Sequence, residues 1–142
     1  MLERATGHHE VLIESPCHEE HPGVARVSQL IYVVDAYIDR FRELSSKPYV
    51  KSVSIFRNHG RDAGASLSHA HTQLITTPFI PRILEEELGA CKRFWTRNHE
   101  CLFCDILRKE KEGPRFIWES NSFVVFAPWA SVHPLEFWVL PK

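Results

Sequence analysis

The chain has 142 residues, 44% hydrophobic and 25% charged, a balance that supports a packed core and excludes disorder, collagen-like repeats and coiled coil. Seventeen Lys and Arg against eighteen Asp and Glu leave a formal charge of -1, so no global field gathers nucleic acid or anionic lipid, and any phosphate has to be held locally. No apolar run approaches the ~20 residues that span a bilayer, and the start, MLERATGHHE, has no signal-peptide core, which predicts a cytoplasmic protein with neither nucleic acid nor membrane as partner.

In chain order, residues 7–14 (GHHEVLIE) read as a strand, with Val11 and Ile13 on one side, Leu12 on the other, and Ser15-Pro16 closing it. Apolar residues on both faces predict a central strand. From Val27 to Leu44, Val27, Leu30, Ile31, Val34, Tyr37, Ile38 and Phe41 recur at helical spacing, opposite a wet face of Asp35, Asp39, Arg42 and Glu43. Pro48 stops that helix, and Tyr49–Arg57 alternates as a strand. The loop Asn58–Leu67 follows, then a strand over Ser68–Ile75 and the turn-forming TTPFIP. Arg82–Arg97 is predicted as a connecting helix with an acidic start at Glu85–Glu87, where the helix dipole favours it. A short helix over Cys101–Lys111 and strands near Phe116–Glu119, Ser122–Phe126 and Leu135–Leu140 complete the chain. Strands outnumber helices and connections are short, so the expected class is α+β with an antiparallel sheet. The apolar strand LEFWVLPK reaches Lys142 with no following turn, a pattern expected of a fragment.

Four Cys are sparse for a disulfide scaffold, and the CxxC of Cys101 and Cys104 points instead to metal. Cys17 and Cys91 belong to no motif and are expected as buried thiols. Trp118 and Trp138 are expected in the core.

The sharpest feature is SHAHTQ, residues 68–73. In a strand of period two, His69, His71 and Gln73 share one face while Ala70 and Thr72 point away. A surface strand with two solvated His would look the same. The preceding loop separates the readings, because Asn58, Gly60, Gly64 and Ser66 combine permissive backbone with short hydrogen-bonding side chains, the composition of a phosphate cradle. Phosphate held beside imidazoles suggests phosphoryl or nucleotidyl transfer. Arg57, His59 and Arg61 are either further charges for that phosphate or solvated loop residues.

The segments ATGHHEVLIESPCH, SVSIFRNHGRDAGASLSHAHTQLITTP, CLFCDI and FVVFAPWASVHPLEFWVLPK, in this order, resemble the galactose-1-phosphate uridylyltransferase family, the transferase branch of the histidine-triad superfamily. The resemblance implies a HIT-like antiparallel sheet with packed helices. Residues 1–80 would be the later part of a first half, 81–100 a connecting helix, and 101–142 the start of a second half. It implies transfer of UMP from UDP-glucose to a hexose 1-phosphate, with His71 as nucleophile. Gln73, where triad hydrolases carry a third His, would hold a phosphoryl oxygen and disfavours hydrolysis. Asn58, Gly64, Ala65 and Ser66 match the family's phosphate loop. Ala70 replaces a frequent Pro and is expected to face outward. Zinc is the implied cofactor, with His18 and His69 matching one ligand pair and Cys101 and Cys104 another. Nothing upstream supplies a CxxC for the first pair, and His99 and His133 are candidate substitutes for the second. The two pairs could also combine, between chains or within one, into a Cys2His2 site. A homodimer is implied, with the turn APWAS around Trp129 facing the partner. Two alternatives remain open at this point: an adenylyl-transferring relative of the ADP-glucose phosphorylase type, and a truncated noncatalytic zinc- or nucleotide-binding remnant.

Overall fold

The computed structural model describes residues 6–142, so the first five residues of the start read above for a signal peptide lie outside the described part. Two compact units, Met1–Pro81 and Arg82–Lys142, make up the chain. Among the described residues no helix is long and apolar enough to cross a membrane.

The first unit contains β1 (His9–Ile13), α1 (Val27–Ser45), β2 (Ser52–Phe56) and β3 (His71–Thr77). The strands form one antiparallel sheet in the order β1-β3-β2. Among the described residues strand β1 is therefore an edge strand, not the central one its two-sided apolar pattern predicts. The central place belongs to β3, whose partners come from far along the chain in sequence, and local hydropathy carries no information about which strand will be sandwiched.

Thr72, Leu74 and Thr76 on one face of β3 are buried, and Tyr37 of α1 bonds to Thr72, so the helix covers this face. His71, Gln73 and Ile75 lie on the other, in register with Ile13, Val11 and His9. Helix α1 has the predicted extent, but its inward face differs from the predicted stripe. Val33 and Leu44 are buried, whereas Val27, Ile31, Val34, Ile38 and Phe41 remain exposed. The sequence carries two apolar rows on this helix, and the row selected is the one in phase with a fork from Arg40 to both carboxylate oxygens of Glu10 on β1, at 2.8 and 2.6 Å. That fork holds the Glu10 carboxyl below its usual range.

Gly7, just before β1, is required by close approach: a Cβ there would stand 2.3 Å from the carbonyl oxygen of Thr76. The neighbouring His8 N–H donates to Thr76 Oγ1 at 2.7 Å, which ties the entrance of β1 to the end of β3.

The second unit contains α2 (Arg82–Asn98), α3 (Leu102–Lys111), β4 (Phe116–Glu119), β5 (Phe123–Phe126) and β6 (Trp138–Pro141), with the strands antiparallel in the order β4-β5-β6. Its core is small: Leu107 of α3 meets Val124 and Phe126 of β5, with Ile106, Trp138 and Leu140 packed around them. Trp138 meets Phe126 edge-on, the ring centroids 5.9 Å apart. Trp118, expected in the core, is 56% exposed on the edge strand β4. Strand β6 starts later than predicted because Leu135 takes a left-handed φ of 63° and Glu136 folds the preceding turn. Its carboxylate accepts the N–H of Val132 at 2.6 Å, that of His133 at 3.3 Å and the indole N–H of Trp138 at 3.0 Å. These donors, Val132 first, keep the Glu136 carboxyl below its usual range.

Candidate active site

The loop between β2 and β3 encloses a cavity of about 350 Å³, bordered by Asn58, Arg61, Ala65, Ser66, Ser68 and His69 among others. Two glycines shape it. Gly60 and Gly64 have φ of +78° and +79°, and between them the N–H of Gly64 bonds to Arg61 O at 2.9 Å and that of Ala65 to Gly60 O at 3.1 Å. A Cβ at Gly60 would meet nothing within 4 Å, so glycine is needed there for its left-handed conformation and not for room. Of the four predicted phosphate-loop residues, Asn58, Ala65 and Ser66 border the cavity, while Gly64 turns the chain between them.

The imidazoles sit at the inner end of this loop. Strand β3 begins at His71, so His69 belongs to the preceding bend and the two rings do not share one strand face as expected. His71 is only 6% exposed, which excludes the solvated surface strand. Its Nδ1 lies 2.8 Å from the backbone oxygen of His69; a carbonyl can only accept, so Nδ1 carries the proton and the lone pair is on Nε2. Ala70, expected to face outward, is buried, because its carbonyl accepts the N–H of Glu14 at 3.1 Å and draws it against the end of β1. Gln73 accepts a hydrogen bond from His9 Nε2 at 3.0 Å through Oε1, which fixes its amide and leaves the NH2 group to donate.

His69 is oriented by the same kind of contact. Its Nε2–H donates to Ser15 O at 2.7 Å, so its Nδ1 has a lone pair, and that atom faces His18 Nδ1 at 3.2 Å. A ring N–H anchored to a backbone carbonyl, with the other nitrogen aimed at a second imidazole, is the outer arrangement that metal-ligating histidines use. The pair fits half of a tetrahedral zinc set.

Cys101 and Cys104, in the second unit, are the other expected ligand pair. Cys101 precedes the first turn of α3, and the Cys104 N–H and thiol both donate to its sulfur, which lowers the Cys101 thiol from its usual range and raises that of Cys104. Both are exposed. Neither His99 nor His133 joins them: among the described residues no three His, Cys, Asp or Glu side chains gather as a metal site. His99 instead ends α2 in a left-handed turn, φ 55°, its N–H bonded to Trp95 O at 2.8 Å. Cys17 is exposed and Cys91 half-buried, so neither is the buried thiol expected from its lack of motif.

One group of residues lacked any motif. Glu14, 4% exposed, accepts from Thr72 Oγ1 at 2.6 Å and from Tyr37 Oη at 3.3 Å, and Arg57 Nε stands 3.3 Å from its Oε1. That distance allows ion pairing, but the alignment does not make a hydrogen bond, and Glu14 Oε2 and Arg57 Nε are buried without hydrogen-bond partners. Burial pushes the Tyr37 hydroxyl up from its usual range, against the bond to Thr72, which acts to lower it. The only signal in sequence is the carboxylate that follows the apolar run Val11–Ile13.

The N-terminal domain of the galactose-1-phosphate uridyl transferase family matches residues 1–81. A galactose-1-phosphate uridylyltransferase of Thermotoga maritima is 33% identical over 141 residues, which is 99% of this chain and 44% of that protein. The crystal structure of an ADP-glucose phosphorylase from Arabidopsis thaliana with bound ADP-glucose is 30% identical with a TM-score of 0.86, covering 96% of this chain and 42% of that one. A uridylyltransferase structure is 26% identical with a TM-score of 0.87, covering 94% and 42%. The chain thus spans less than half the length of the relatives it matches.

Proposed function

The chain belongs to the galactose-1-phosphate uridyl transferase family, and from that premise we propose that it forms part of a nucleotidyltransferase that moves UMP from UDP-glucose to a hexose 1-phosphate through a nucleotidyl-His71 intermediate. The observation that carries this reading is the bond from His71 Nδ1 to the His69 carbonyl. It leaves the Nε2 lone pair available to attack the α-phosphorus. A bond forms from Nε2 to phosphorus and the bond from phosphorus to the β-phosphate oxygen breaks, so the sugar 1-phosphate departs with the electron pair. The ring then carries a positive charge with its proton still on Nδ1, facing a carbonyl dipole that stabilises it. No proton has to be moved in this half-reaction. The second half reverses it with another sugar 1-phosphate as acceptor. Gln73 offers its NH2 group to a phosphoryl oxygen and cannot act as a general acid or base toward water as a His could, which favours transfer over hydrolysis. Asn58 and Ser66 hold the phosphates through their short side chains, while Gly64 and Ala65, whose N–H groups bond to Arg61 O and Gly60 O, shape the loop that presents them.

A second reading keeps the chemistry and changes the base. The similarity to an ADP-glucose phosphorylase with bound ADP-glucose favours transfer of AMP from ADP-glucose. Incubation of the chain with UDP-glucose and ADP-glucose labelled at the α-phosphate tests both: acid-labile label on His71 is expected, and its source names the base. A folded chain that takes label from neither overturns the transferase reading.

Zinc belongs to the proposal, held by His18 with His69 and by Cys101 with Cys104; it supplies a tetrahedral tie where side chains converge on paired ligands. His18 and His69 connect the turn after β1 to the entrance of β3, so zinc bound there steadies the loop next to His71. Elemental analysis of protein purified without chelator is expected to find zinc, and His69→Ala and Cys101→Ser should each release the share bound at their own pair; a metal-free preparation removes zinc from the proposal. The reading further includes a cytoplasmic protein, residues 1–80 and 101–142 as parts of two HIT-like halves joined through 81–100, and a homodimer. The exposed apolar side chains of Trp129, Val132 and Leu135 support a partner at that turn.

A further inference from the structure

We propose that Arg57, backed by the buried carboxylate of Glu14, is an additional binding residue for the diphosphate of the substrate, and that Glu14 is its positioning residue. The inference rests on the nucleotidyl-transfer reading for the identity of the ligand and on independent geometry for the anion site itself. Arg57 is the first residue after β2 and forms part of the cavity wall, next to Asn58. Glu14 is not part of that wall. The pair is therefore a dipole with its positive end at the cavity and its negative end inside the fold.

Three features separate this from an ordinary structural ion pair. The Arg57 side chain keeps 22% of its exposure while the Glu14 side chain keeps 4%, so of the two it is the Arg57 side chain that keeps contact with solvent. Glu14 is fixed from other directions: Thr72 and Tyr37 donate to its carboxylate, and Gln29 Nε2 donates to its backbone oxygen at 2.6 Å. Arg57, by contrast, makes its Nε approach without a hydrogen bond. A guanidinium has five donors in a rigid fork suited to two oxygens of a phosphate; here Nε is buried on the Glu14 side, which leaves the terminal NH2 groups for an anion in the cavity whose wall Arg57 helps to form. Thr72, which helps hold Glu14, is the residue after His71, so the support of the cation and the backbone of the proposed nucleophile share one strand. An anion drawn to Arg57 would lie beside the loop that leads directly into His71.

The test uses the full chain and pyrophosphate as probe, titrated by calorimetry, in parallel with the labelling of His71. Arg57→Gln is expected to weaken pyrophosphate binding roughly tenfold to a hundredfold, the range for loss of a charge-assisted phosphate contact, and Arg57→Lys to restore part of it. Because Arg57→Gln leaves Glu14 buried without its cation, the double variant Glu14→Gln/Arg57→Met removes both charges together; it should melt near the parent temperature and still fail to bind. Glu14→Gln alone should weaken binding while Arg57 is intact, the signature of positioning. Parent-like pyrophosphate affinity in a folded double variant overturns the inference, as does a parent chain that binds no pyrophosphate. If the parent labels His71 and these variants bind as it does, the transferase reading stands and only Arg57 is lost from it. If the parent binds pyrophosphate in an Arg57-dependent way but never labels, the anion site stands and the transferase reading falls.

Discussion

Replacing His71 by glycine is expected to abolish the acid-labile nucleotide adduct, lowering nucleotide exchange by at least about 10³-fold, since removal of a covalent nucleophile leaves only binding and electrostatic contributions. The loss has to be chemical and not structural. His71 is nearly fully buried at the first position of the central strand, so glycine also opens a void there. His71→Asn separates the two effects: its side-chain NH2 can still donate toward the His69 carbonyl, but it has no lone pair able to attack phosphorus. Label incorporation measured with melting temperature should give a folded, inactive Asn variant. A folded His71→Asn or His71→Gly protein that still labels elsewhere and exchanges nucleotide at the parent rate would falsify the nucleophile assignment.

The largest effect on stability is expected from Phe126→Ala. Phe126 is 1% exposed and is the largest of three buried apolar side chains that define the core of the second unit. Truncation of a buried Phe costs roughly 3–5 kcal/mol, and a domain as small as Arg82–Lys142 has a total stability on the order of 5 kcal/mol. Most of the margin disappears. Amide exchange should report loss of protection in α3 and β5 while β3 of the first unit keeps its protection. Unchanged exchange in α3 and β5 would show that the outer residues Ile106, Trp138 and Leu140 carry this core instead.

The antiparallel α+β class, the extent of α1 and the position of every strand within a few residues were legible from periodicity and turn residues. Helix α1 illustrates both the success and its limit. Its 3.6-residue period and the stop at Pro48 give its ends, yet it carries two apolar rows, and which one faces the sheet depends on Arg40 meeting Glu10, thirty residues away. The same limit governs β1: apolar side chains on both faces are a local fact, while being an edge or a centre is decided by partners elsewhere. Within the candidate site, the glycines of the loop and the order of imidazoles in SHAHTQ were readable, because each serves a local need of backbone conformation or ring chemistry. Glu14, Tyr37 and Thr72 were not, since their roles exist only through contacts 23 to 58 residues apart in the chain. Ala70 and Cys17 were misjudged for a related reason. Exposure depends on what a loop folds against, and a loop sequence does not state that.

The strand order β1-β3-β2 also governs how this unit is made. On the ribosome β1 and β2 emerge before β3, and neither is paired with the other in the finished sheet. Both must wait, with their backbone groups bonded only to water, until residues 71–77 leave the exit tunnel. Pairs such as His9 with Ile75 close long chain segments, a slow step during which apolar strand surface is open to aggregation. The strand that starts with His71 is consequently the last arrival and the keystone of assembly. A substitution that delays its docking would lower the yield of soluble protein even if the finished site were chemically intact.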